Sequence, residues 1–175
     1  VFEQVVRDSD LAQHYTLNIS GVDKLEFSLF RPQCEVAFCE VALWTKGQTP
    51  HDLRGKHDPE VKSRMLFRDI APYRINYSSV YADGDSGRHT LVGPDKTYKS
   101  IKIGNKEYDY GLWLGMSMQL IGGWESETDF NLRGQYETLR FVVGPLATDD
   151  GNDTSRGWVS VLGDGKILYE YEINE

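Results

Sequence analysis

Apolar and polar residues alternate with a period of two along most of this chain, and the alternation is broken every few residues by glycine, proline or an Asx residue. In His14-Tyr15-Thr16-Leu17-Asn18-Ile19-Ser20 the apolar face is Tyr15, Leu17 and Ile19. A turn at Gly21-Val22-Asp23-Lys24 leads to Leu25-Glu26-Phe27-Ser28-Leu29, where the apolar residues alternate again. Both segments read as half-buried strands, because successive side chains of a strand point to opposite faces. Residues 36–44 are almost continuously apolar, the pattern of a central strand covered on both faces.

Beyond Trp44 the pattern stops. Residues 45–64 are polar and contain Pro50, Gly55 and Pro59, which predicts a long surface excursion with one helical turn over 59–65. Strand-like runs resume at 65–70 and 75–77, and Asp83-Gly84-Asp85-Ser86-Gly87 reads as a loop. Ile101-Lys102-Ile103 and the run from Lys106 to Tyr110 flank Gly104-Asn105, a two-residue hairpin turn using positive φ angles. Residues 128–132 and 138–143 are strand-like around Arg133-Gly134-Gln135. Residues 157–162 meet 166–172 through Gly163-Asp164-Gly165, the strongest hairpin signal in the chain. The opening Val1-Phe2-Glu3-Gln4-Val5-Val6 resembles the closing strand, as expected of a permuted sandwich or of a slice from a tandem array. Ten to twelve short strands with almost no helix predict an all-β fold: a single antiparallel two-sheet β-sandwich over residues 1–175.

Composition narrows the function. The formal charge is −8, with 19 Lys and Arg against 27 Asp and Glu, so the mean field repels phosphate backbones and anionic lipid; nucleic acid and membrane are not expected partners. No apolar run reaches the roughly 18 residues of a membrane span. Three Asn-x-Ser/Thr triplets, at Asn18, Asn76 and Asn152, point to glycosylation in a secreted, extracellular protein. Cys34 and Cys39 are too few for a closed zinc site, and read either as two half-buried thiols or as a small loop-closing disulfide.

Catalysis is not expected. His14, His51, His57 and His89 lack metal-binding spacing, and no nucleophile elbow or phosphate loop occurs. Glu125, Glu127 and Asp129 share one strand face, but the segment reads as exposed, whereas a general acid needs burial. Sugar recognition needs flat aromatic faces and fixed polar forks. Trp113, Trp124 and Trp158 flank predicted loops beside Asp149, Asp150, Asn152 and Arg156, and these form the candidate carbohydrate site, the alternative for each tryptophan being a core filler. No cofactor is expected. Asp149, Asp150 and Asp153 offer clustered oxygen ligands for Ca²⁺, or else form a solvated acidic turn.

From Ile101 onward the sequence resembles the NPCBM domain, a carbohydrate-binding module found beside glycoside hydrolase catalytic domains. The residues concerned are Ile103-Gly104-Asn105-Lys106-Glu107-Tyr108-Asp109-Tyr110-Gly111-Leu112, Thr128-Asp129-Phe130-Asn131-Leu132-Arg133-Gly134-Gln135-Tyr136, Phe141-Val142-Val143-Gly144 and Asp164-Gly165-Lys166-Ile167-Leu168-Tyr169-Glu170. Arg68-Asp69-Ile70-Ala71-Pro72 is similar to the family's opening strand. The segment from Thr16 to Phe27 is similar to its closing one, here placed first. At Trp113-Leu114-Gly115-Met116 the chain departs from the family's short histidine-bearing turn. The resemblance implies a jelly-roll, galactose-binding-like sandwich that binds a glycan as one module of a larger secreted protein, with neighbouring modules as partners. The alternative is a structural or adhesive module that makes protein contacts without binding sugar.

Overall fold

A computed structural model describes residues 3–7, 12–30, 36–46, 63–77, 87–96, 98–116, 125–146 and 156–174. The fold is an all-β sandwich of antiparallel sheets. The larger sheet runs in the order β1 (Glu3–Arg7), β2 (Gln13–Asn18), β12 (Tyr136–Pro145), β4 (Val36–Thr45), β10 (Gly111–Met116), β7 (Gly87–Val92), and the two-residue β5 (Arg64–Met65) also pairs with β4. Facing it is a five-stranded sheet in the order β14 (Lys166–Asn174), β13 (Arg156–Gly163), β3 (Lys24–Phe30), β11 (Glu125–Asn131), β6 (Arg74–Tyr77). A separate hairpin, β8 (Ile101–Ile103) and β9 (Lys106–Tyr108), completes the strands. The segments at the two ends of the chain, β1 and β14, are edge strands of different sheets.

The alternation read from the sequence puts the expected faces inside. Leu25, Phe27 and Leu29 of β3 are fully buried, as are Leu17 and Ile19 at β2, and Tyr15 packs on the same core. β4 is central and covered on both faces. Its single charged residue, Glu40, is exposed at φ 48°. There the pairing with β12 shifts register between Arg140 and Val142, so Glu40 is the extra residue of a β-bulge, turned out of an otherwise apolar strand.

One end of the sandwich is closed by three mutually bonded turns. Leu132 and Arg133 N–H donate to the Asp23 carbonyl, Gly134 N–H to Val22, and Asp164 N–H to Lys24. The Asp164 carboxylate in turn accepts from the backbone N–H groups of Asp23 and Lys24, at 3.2 and 2.8 Å. Asp164 and Gly165 have φ 50° and 75°, the double positive pair of the expected hairpin turn. In the β8–β9 hairpin, by contrast, only Gly104 takes a positive φ.

Three expectations need correction. Residues 66–69 form a single helical turn, α1 (Leu66–Asp69), where the sequence suggested a strand. Leu66 and Phe67 are both buried, which consecutive residues of a pleated strand cannot achieve on one face. Asp69 accepts from Met65 N–H and from the Arg68 guanidinium, which hold its carboxyl below the usual range. Gly87, taken with the preceding loop, instead opens β7, whose residues Gly-Arg-His-Thr-Leu-Val lack clean alternation. The strands read at 128–132 and 138–143 are β11 and β12, which lie in different sheets, so the Arg133-Gly134 turn crosses the sandwich. Residues 47–62 of the 45–64 excursion lie outside the described residues, and the described end of the helical turn expected over 59–65 is instead the strand β5, held by pairing with β4.

Because a Cβ on Gly165 would meet nothing within 4 Å, Gly165→Ala isolates the conformational cost of its positive φ. The variant should lose about 1 kcal/mol in chemical denaturation. No loss would show that the turn adjusts freely.

Candidate functional site

The two outer faces of the sandwich differ. Over the larger sheet, the β8–β9 hairpin buries Ile101, Ile103 and Tyr108 against Ala37, Cys39 and Val142, forming a second, smaller core. Trp113, on β10, belongs to this side. Its neighbours Leu112 and Leu114 point into the main core, while its own ring packs against the smaller one and lies edge-on to Tyr98, with centroids 5.3 Å apart. Cys39 is a free thiol in the same layer, and burial raises its pKa. Cys34 lies outside the described residues.

Among the described residues no such hairpin lies over the five-stranded sheet. Val159 and Val161 point inward from β13, so Trp158, Ser160 and Leu162 face outward. Trp158 stands directly opposite Phe30 of β3 on one side and Glu172 of β14 on the other. Directly opposed residues have Cβ atoms about 5 Å apart, so the half-buried indole and the 39 % exposed Phe30 ring are neighbours on one surface. The next outward row along the strands is Glu170, Ser160, Ser28 and Glu127, and the third joins Glu26 to Asp129 and Arg74. From the aromatic row to the carboxylate row is four residues, roughly 13 Å.

The third row is a charge network. Asp129 is fully buried, yet its Oδ2 accepts from Arg74 Nε at 2.5 Å and lies 3.4 Å from Lys24 Nζ. Arg74 also donates to Glu127 at 2.7 Å, and Lys24 to Glu26 at 3.4 Å. Burial, reinforced by Glu127 and Asp129, raises the pKa of Glu26, with Lys24 opposing. The expectation that residues 125–129 form an exposed segment is therefore corrected at Asp129 and Glu127: the strand has covered neighbours on both sides, β3 and β6, and its outward carboxylates sink among the basic side chains.

The sequence-predicted site residues do not all meet. Trp113 and Trp158 are on opposite outer faces, so no single rim holds both. Arg156 opens β13, two residues before Trp158. Trp124, Asp149, Asp150, Asn152 and Asp153 lie outside the described residues, the first of them next in sequence to Glu125, where β11 begins opposite Phe30. Among the described residues no group of three His, Cys, Asp or Glu side chains is placed to hold a metal ion. Asn18 is exposed at the end of β2, its side chain accepting from Ser20 N–H, and Asn76 lies in β6 opposite Glu127. Sequence reasoning missed Phe30, Ser160, Glu170 and Glu172. The signal that finds them is register: once Val159 and Val161 are inward, their alternates share a face with alternates of β3 and β14.

No protein-family model, curated protein or solved structure matches this chain.

The raised pKa of Glu26 fixes a sign. Glu26 favours the folded state below its unfolded value, near 4.5, and that contribution is lost as pH rises through the higher folded value. Glu26→Gln should accordingly raise the melting temperature at pH 7 by up to a few degrees, with the gain vanishing by pH 4. A fall at pH 7 would mean that attraction to Lys24 outweighs the desolvation.

Proposed function

We propose that this protein is a non-catalytic carbohydrate-binding module of a larger extracellular protein, and that the glycan lies on the outer face of the five-stranded sheet. The observation behind the proposal is the pairing of Trp158 with Phe30 on an outward face that continues into serine and carboxylate side chains. Aromatic rings accept the C–H face of a pyranose, while Ser160, Glu170 and Glu172 offer hydroxyl and carboxylate acceptors for its hydroxyl groups. Rigid strands hold these groups, so little ordering is needed on binding. The likeness of the sequence to NPCBM domains and the exposed sequon at Asn18 support the same reading. This placement differs from a loop-borne site: it needs Trp158 and not Trp113, which packs against the hairpin core.

Affinity electrophoresis and calorimetry against a panel of soluble glycans test it. Trp158→Ala should weaken binding at least about tenfold, since a buried aromatic anchor is commonly worth 2 kcal/mol or more. Trp113→Phe should leave binding unchanged. Saturable binding untouched by Trp158→Ala would place the ligand elsewhere, and no binding to any glycan by the folded protein would defeat the proposal.

A further inference from the structure

We infer that this face selects glycans carrying free amines, such as oligomers of 2-amino-2-deoxyglucose, over neutral and acidic ones. The inference rests on the carbohydrate reading above and deepens it. Its ground is the charge surrounding the rings. Among the described residues, the outward positions of the five-stranded sheet hold Glu26, Glu125, Glu127, Asp129, Glu170 and Glu172 against Lys24, Arg74 and Arg156, the last where β13 begins opposite Asn174. Lys24 and Arg74 are already engaged, Arg74 by Asp129 and Glu127, and Lys24 by Asp129 and Glu26, so carboxylates outnumber the cations of this face.

The exposed carboxylates, in contrast, are close to the rings. Glu172 is directly opposite Trp158, and Glu170 stands one outward row along the same strand, opposite Ser160. Among the described residues no lysine or arginine forms an ion pair with either. A further acceptor lies in the third row: Asp129 Oδ1 is fully buried and has no hydrogen-bond partner among the described residues. The face thus has negative charge beyond what its own cations satisfy.

A pyranose ring stacked on Trp158 presents its equatorial substituents sideways, toward the flanking strands. An ammonium there would gain charge-assisted hydrogen bonds to Glu170 or Glu172, and attraction to the negative faces of the rings. An acetamide or hydroxyl gains neither, and an anionic substituent would be repelled by the same carboxylates.

Calorimetry at low ionic strength tests the inference with four ligands: the glucosamine hexamer, the N-acetylglucosamine hexamer, a galacturonate hexamer and a lysine hexamer. The glucosamine hexamer should bind at least tenfold more tightly than its acetylated counterpart, and the galacturonate hexamer should not bind. Glu170→Gln with Glu172→Gln should remove most of that preference, each exposed charge contributing up to about fivefold. The wild-type protein supplies a second measurement that needs no variant: the preference should fade as pH rises through the pKa of the ligand's amine, and shrink with added salt. Equal or tighter binding of the acetylated hexamer, still dependent on Trp158, would overturn the amine preference and leave the carbohydrate reading standing. Absence of Trp158-dependent binding to any glycan would overturn both. Binding of the lysine hexamer as tight as that of the glucosamine hexamer, and indifferent to Trp158→Ala, would show docking of basic chains by charge alone and overturn the inference too.

Discussion

A continuous set of aromatic contacts between the two sheets is the interaction on which the structure depends. Tyr15 and Phe141 of the larger sheet both pack against Tyr169 of the smaller one, at centroid distances of 4.3 and 5.4 Å. Phe141 continues to Phe38, and Phe38 crosses back to Phe27 at 4.8 Å. Phe27 in turn meets Phe130 and, from the helical turn, Phe67. Seven rings thus join β2, β4 and β12 to β3, β11 and β14, with α1 pressed into the same layer. Such pairs contribute about 0.5–1.5 kcal/mol each beyond the area they bury. At the margin Gln13 Nε2 donates to the Tyr171 hydroxyl at 3.1 Å, and Gln13 Oε1 accepts from the Tyr15 hydroxyl, so the polar ends of these two tyrosines are drawn into one chain.

With the inner faces committed, the outer faces are where the two sheets diverge. The β8–β9 hairpin spends the apolar outer residues of the larger sheet on a second core, and Trp113 goes with it. On the smaller sheet the outward residues are mostly polar: among the described residues Glu26, Ser28, Ser160 and Glu170 accompany the aromatic pair of Trp158 and Phe30. An aromatic pair on an otherwise polar sheet face does nothing for the main core, which lies on the other side of the strands. Its exposure is therefore the feature that distinguishes this face, and the carbohydrate proposal follows from it. The three bonded turns at one end hold β3, β11 and β13 in register, so the platform sits on strands fixed at that end.

Much of the fold is legible in the residue pattern because burial here follows the pleat. Leu25, Phe27 and Leu29 alternate in sequence and in burial, and Asp164-Gly165 declares its hairpin through the backbone angles it tolerates. What escaped the pattern did so for physical reasons. Leu66 and Phe67 look like part of a strand, since helical burial over a single turn leaves no period to read. β7 gains its place by pairing with β10, a tertiary contact that its own residues do not announce. The site was half legible. Trp158 stands out by composition, but its partners Phe30, Glu170 and Glu172 come from other strands and appear only once register is known. Trp113 has the same composition and a different fate, decided by a hairpin that happens to cover it. Asp129 read as exposed because charge alone predicts solvent, whereas two basic neighbours allow it to be buried.

Native-state hydrogen exchange on Phe27→Ala tests most directly whether the aromatic layer unites the sheets. Loss of this ring removes contacts to Phe38 in one sheet and Phe130 in the other, at a cost of about 3–5 kcal/mol. If the sandwich is one cooperative unit, amides of β4 and β12 should lose protection by the same free energy as those of β3, β11 and β13. Unchanged protection in β4 and β12, with loss confined to the five-stranded sheet, would contradict the account.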